Sequence, residues 1–260
     1  MKMTGERYMS AEIDYKSMRI APIAILSLLL FMSLLDINVF VILLSSETGI
    51  QGIALLSSID SLYYICEFLY ITALIVVLVS LYRMHDISEN YNYAWIIFVF
   101  QMIGDMLNQM IGIFTRLSEN VLIMGIISGV FDMLPKLCVM IGVVTLLDVL
   151  TKMCSEMNGI GSNSVSVNEI LPDAHIKNLK KTWIATELIR IALLFPLLVS
   201  MHIVVSAGTV MSGTLFGMVK ILIGLSIVLL LIHIIISIIV FGKIRKVFRS
   251  YYLYRYNKGV

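Results

Sequence analysis

The sequence predicts an all-α, polytopic membrane protein of six transmembrane helices arranged as three hairpins, and three observations carry that prediction. Of 260 residues, 59% are hydrophobic and 14% charged, against roughly 45–50% and 25% in soluble proteins. Mean hydropathy is +0.96, so lipid must solvate much of the surface. The apolar residues also fall into runs long enough to cross a hydrocarbon core of about 30 Å at about 1.5 Å per residue.

Residues 1–19 mix charges of both signs and form an N-terminal segment ahead of a transmembrane domain over 20–242. The first span, 20–44, is apolar apart from Asp36 and Asn38. It exceeds the roughly 7–15 apolar residues of a cleavable signal, so it reads as a retained helix with Pro22 in its opening turn, where a missing N–H costs nothing. A short connection without Lys or Arg leads to the second span, 59–82, which carries Glu67, Tyr63, Tyr64 and Tyr70. Tyr91, Tyr93 and Trp95 then suggest an interfacial aromatic belt.

The third span, 94–115, and the fourth, 121–151, form a central hairpin turning near Arg116–Asn120. Residues 152–182 are the longest polar segment, with a flexible linker at 158–164 and a surface helix from His175 running into the fifth span, 183–206. The sixth span covers 213–241. The tail, 243–260, is basic and rich in tyrosine, as suits a segment lying on anionic lipid. The expected partners are therefore the bilayer, anionic lipid at the tail and a protein docking on the 152–182 loop. Nucleic acid is a less economical account of the same charges.

Orientation follows from the basic residues. Outside the spans they gather in the N-terminal segment (Lys2, Arg7, Lys16, Arg19), at Arg83, in the fourth-to-fifth loop (Lys152, Lys177, Lys180, Lys181) and in the tail, whereas the opposite loops hold only Arg116. Positive charge is retained on the cytoplasmic side, which places both termini in the cytoplasm and the chain in the plasma (inner) membrane.

Eight ionisable residues in the spans are candidates for a polar transport path: Asp36, Glu67, Asp105, Asp132, Lys136, Glu187, Arg190 and Lys220. A lone charge at such depth costs about 2.5–3.5 kcal/mol on insertion scales, so these side chains are expected to face protein or water and to pair. Asp105 and Lys136 lie about fifteen residues from the central turn, on the order of 22 Å below one surface, and make the expected pair. Asp132, one turn before Lys136, is the competing partner. Asp36 and Glu67 stand at matched height and, left together, cannot both ionise comfortably. Either they form a proton or cation site or each pairs with a base from another hairpin, Lys136 or Lys220. Glu187 and Arg190 can pair along one helix. A last turn near Val210 sets Arg190 level with His233; a turn at 206–208 sets it level with Lys220.

His202 and His233 belong to opposite ends of their spans, about 25 Å apart along the membrane normal. One metal or haem cannot bridge them, so packed, hydrogen-bonded histidines are expected. Cys66, Cys138 and Cys154 form no disulfide or zinc pattern and read as small buried hydrophobes, with Cys154 the one that acylation would reach. Gly125–Gly129 and Gly213–Gly217 have the spacing that lets helix backbones approach. Pro135 frees the carbonyl of Phe131 beside Lys136, a hint of a wet interior.

One fixed offset lays Asp36 on Asp105, Glu67 on Lys136 and Arg83 on Lys152, and a second lays Gly129 on Gly213 and Lys136 on Lys220, as a parallel repeat of hairpins would. Gly104-Asp105 resembles the Gly-Asp of intramembrane aspartyl proteases, but Met102 stands where their Gly-x-Gly-Asp motif has its first glycine. No nucleotide loop, zinc motif or catalytic spacing is present, and no cofactor or catalytic residue is expected. The sequence points first to a proton- or ion-linked transporter or channel-like bundle. The alternative is a membrane scaffold or permease subunit working with a soluble partner such as an ATPase.

Overall fold

A computed structural model describes residues 5–45, 50–84, 89–117, 120–159, 173–207 and 213–258. The described residues form six long helices: α1 (Gly5–Ser45), α2 (Ile50–Arg83), α3 (Glu89–Leu117), α4 (Val121–Gly159), α5 (Asp173–Ala207) and α6 (Gly213–Lys258). Each contains a stretch long and apolar enough to cross a membrane, as the sequence requires.

The helices outrun the apolar stretches, because helix formation does not stop where hydrocarbon does. α1 begins at Gly5, so Pro22 lies well inside it, not in its first turn, and leaves the Met18 carbonyl without its usual donor. α5 begins at Asp173, so the surface helix expected from His175 is continuous with the fifth span. α6 continues through the tail to Lys258. Ile244, Val247, Phe248 and Tyr251 are buried there, a spacing of three and four that lays one helical face on the core. Arg245, Lys246 and Arg249 point away and are exposed. At the central turn, Asn120 caps α4: its side-chain oxygen accepts from the Ile123 N–H at 3.4 Å, and its carbonyl accepts from the Met124 N–H at 3.1 Å.

Two apolar cores are stacked along the bundle. The larger joins Met18–Met32 of α1, Tyr70–Leu81 of α2, Tyr91–Phe98 of α3, Val139–Cys154 of α4, Trp183 of α5 and Val240–Tyr251 of α6. It marks the end of the bundle nearest the C-terminal tail, called here the tail end. Tyr91, expected in an aromatic belt, is fully buried in it; its hydroxyl is 3.8 Å from Met153 Sδ and its ring 6.3 Å from that of Phe248. Cys154 is fully buried in the same core and Cys66 is also buried, which removes Cys154 from the reach of acylation. The smaller core, toward the turn end, joins α1 (Val39, Phe40, Leu43), α4 (Met133), α5 (Ile191–Leu198) and α6 (Val219, Ile223). Among the described residues α2 and α3 contribute no side chain to it.

α1 packs on α2, α3 on α4 and α5 on α6, but α4 packs just as closely along α5 and α1 runs along α6. The packing therefore does not set three hairpins apart as units. The α4–α5 contact is made by Gly125 and Gly129. A Cβ on Gly129 would lie 2.7 Å from Val199 Cγ2, and one on Gly125 would lie 2.9 Å from Ile203 Cγ1. Gly213 and Gly217 have nothing within 4 Å of that position, so the second glycine pair packs on none of the described helices.

Candidate functional site

Between the two cores lies a layer of buried charge. α1 passes from one core to the other at Asp36, α4 at Lys136, α5 at Glu187 and Arg190, and α6 at His233. Lys136 Nζ lies 2.6 Å from Asp36 Oδ1, and Arg190 Nη1 donates to the other oxygen of the same carboxylate. Arg190 also grips Glu187 with two parallel bonds, Nε to Oε2 at 2.8 Å and Nη2 to Oε1 at 2.7 Å. That is the forked geometry a guanidinium makes with a carboxylate. Glu187 Oε2 is 3.1 Å from His233 Nε2. The ring of His233 lies beside Trp183, centroids 5.3 Å apart, while Trp183 Nε1 donates to Ser237 Oγ at 3.0 Å. Asp36, Glu187, Arg190 and His233 are each at most 3% exposed.

Two carboxylates meet two bases in this layer, so its formal charge cancels. Burying ions costs several kcal/mol apiece after relaxation, which mutual attraction offsets only when the geometry is good and the remaining hydrogen bonds are made. Here every charged end has a partner. The Asp105–Lys136 pair expected from hairpin height is replaced by Asp36–Lys136, since the Lys136 side chain reaches the carboxylate of α1 that Arg190 of α5 shares. Of the two acids for which a base from another hairpin was one alternative, Asp36 takes Lys136 whereas Glu67 takes the amide of Gln109; the local Glu187–Arg190 pair forms.

The other intramembrane acids form a separate strip on the α2–α3 side. Tyr70 Oη donates to Asp105 Oδ2 at 2.6 Å and accepts from Gln101 Nε2 at 2.7 Å. Gln109 Nε2 donates to Glu67 Oε1 at 2.7 Å. Asp132 accepts from Asn108 Nδ2 on one oxygen and lies 2.5 Å from His202 Nε2 on the other. Glu67, Asp105 and Asp132 are half-buried, and Gln109 is exposed. Among the described residues the strip lies outside the turn-end core, to which α2 and α3 give no side chain.

Lys220 belongs to neither group. It is exposed on α6, its ammonium 4.1 Å from the centre of the Phe216 ring. Glu67, Lys136 and Lys220, superposed by the proposed repeat, therefore sit in three unlike surroundings. Arg190 is level with His233, in keeping with a last turn near Val210, although residues 208–212 lie outside the described residues. His202 and His233 are hydrogen-bonded in different clusters. Asp148, near the tail end, pairs at the surface with Lys180.

Sequence reasoning passed over the uncharged partners Tyr70, Gln101, Asn108 and Gln109. Their signal was present in α3, where Gln101, Asp105, Asn108 and Gln109 recur at intervals that place them on one helical face. Trp183 and Ser237, which brace His233, carried no such signal. No family model, curated protein or solved structure matches the chain, so the functional reading rests on the geometry.

Proposed function

We propose that the protein is a proton- or ion-linked transporter or channel-like bundle in which Glu67, Asp105 and Asp132 line the cation path and the Lys136–Asp36–Arg190–Glu187 layer fixes the helices around it. One observation carries this reading. Three carboxyls at membrane depth are held by an amide, a hydroxyl and an imidazole, while the two buried bases are committed to Asp36 and Glu187. Among the described residues Glu67 and Asp105 have no Lys or Arg partner and Asp132 has only the imidazole of His202, and intramembrane acids held in this way are candidates to bind and release a cation. The distribution of Lys and Arg supports a plasma-membrane protein with both termini in the cytoplasm, and exposed Arg245, Lys246 and Arg249 suit anionic lipid.

The test is flux. Purified protein in liposomes, driven by an imposed pH gradient and potential, is expected to move charge above the protein-free rate and to lose that movement in Asp105→Asn. Wild-type flux no greater than in empty liposomes would overturn the reading. The balanced charge layer by itself favours a second reading, a rigid membrane scaffold or permease subunit whose 152–182 segment docks a soluble protein such as an ATPase. That reading expects a stoichiometric partner on gentle purification, and full activity of the isolated chain counts against it.

A further inference from the structure

Asp105 differs from the other two strip acids in the depth of what holds it. Its partner Tyr70 is buried, and behind Tyr70 stands Gln101, fully buried in α3. Gln101 donates to Tyr70 through Nε2, but its carbonyl Oε1 is enclosed and accepts no hydrogen bond from the described residues. A buried amide oxygen left so forfeits the hydrogen bonds that water would give it. Nearby stand Glu67 and Tyr63 from α2 and Asp132, Lys136 and Cys138 from α4. Lys136, the base among them, is held by Asp36. Among the described residues no three His, Cys, Asp or Glu side chains come together to hold a metal ion, whereas one carboxyl with one hydroxyl donor is enough to hold a proton.

Resting on the transporter reading above, we infer that the cargo is a proton bound at Asp105, and that Gln101–Tyr70–Asp105 is a hydrogen-bond relay whose direction reverses when the proton binds. With Asp105 ionised the chain runs as observed: Gln101 N–H to Tyr70 oxygen, Tyr70 O–H to Asp105 Oδ2. A proton arriving on Oδ2 turns that oxygen into a donor to the Tyr70 oxygen. The Tyr70 O–H then swings to Gln101, whose side-chain amide turns to present Oε1. No covalent bond other than the new O–H forms or breaks. The relay holds two hydrogen bonds in either direction, and the carbonyl now idle becomes its last acceptor. Such near-equality is what a bistable element needs.

Infrared difference spectroscopy of the purified protein in lipid, titrated from alkaline to acid, tests the relay without any flux measurement. Protonated-carboxyl carbonyl bands are expected to grow on acidification, and one component of them to be missing in Asp105→Asn. The glutamine amide band is expected to shift over the same pH range and to be missing in Gln101→Leu. Tyr70→Phe, which keeps the buried ring, is expected to retain the carboxyl band and lose the coupled glutamine shift. A glutamine band that stays still in the wild type, or one that still follows pH in Tyr70→Phe, would overturn the relay. If the bands behave as expected and liposomes show no flux, the relay stands and the transporter reading falls. If protons flow undiminished in Asp105→Asn, this inference falls and so does the place of Asp105 on the transport path, while flux itself stands.

Discussion

Asp36 is the residue on which the charged layer turns, because a single carboxylate is shared by the bases of two other helices, Lys136 and Arg190. Asp36→Asn removes half of the layer's negative charge while leaving both bases buried. Breaking a buried pair from one side costs about 3–5 kcal/mol, so a clear fall in the unfolding temperature in detergent is expected. Adding Lys136→Met removes the stranded ammonium and is expected to restore much of the loss, since Arg190 keeps its two bonds to Glu187. A double variant no more stable than the single one would show that the layer does not act through charge. That these residues pair was legible from the cost of charge in lipid. Which partner each takes was not, because height along a hairpin gives depth but says nothing of the direction a side chain faces around its helix.

At the scale of the elements, α4 is the helix every cluster touches. It meets α5 through Gly125 and Gly129, gives Lys136 to the buried layer and gives Asp132 to the strip. The two glycine pairs separate packing from mere spacing. Gly129→Ala drives a methyl into Val199 and is expected to cost about 1–3 kcal/mol, as overpacking does. Gly217→Ala meets nothing and is expected to stay within about 0.5 kcal/mol or to gain slightly through helix propensity. Thermal unfolding of the two variants side by side checks this, and equal effects would contradict the close α4–α5 approach. The spacing was identical in the sequence; only the neighbours of each helix distinguish them. The same holds for the tail, where Ile244, Val247, Phe248 and Tyr251 recur with helical period yet read as a basic tail until the core received them.

Across the whole molecule, two apolar cores with charge between them divide the work of the bundle. Among the described residues the tail-end core draws on all six helices and the turn-end core on four, and the acidic strip lies outside the second. The basic residues outside the spans lie mainly toward the tail end, which the positive-inside rule associates with the cytoplasm. Reporters fused at the two termini are expected to be shielded from protease added outside intact cells and cleaved once the cells are opened. Cleavage in intact cells would reverse the orientation.

The sequence by itself determined the class of this protein, its membrane-crossing segments, the central turn and the rule that its intramembrane charges must find company. Those features depend on hydropathy, length and the energy of a charge in hydrocarbon, all of which are read along the chain. The tertiary structure alone decided that Asp36 takes both Lys136 and Arg190, that Asp105 takes a tyrosine, and that Lys220 stays outside. Helix azimuth and neighbour order set those choices, and they arise only when six helices settle against one another.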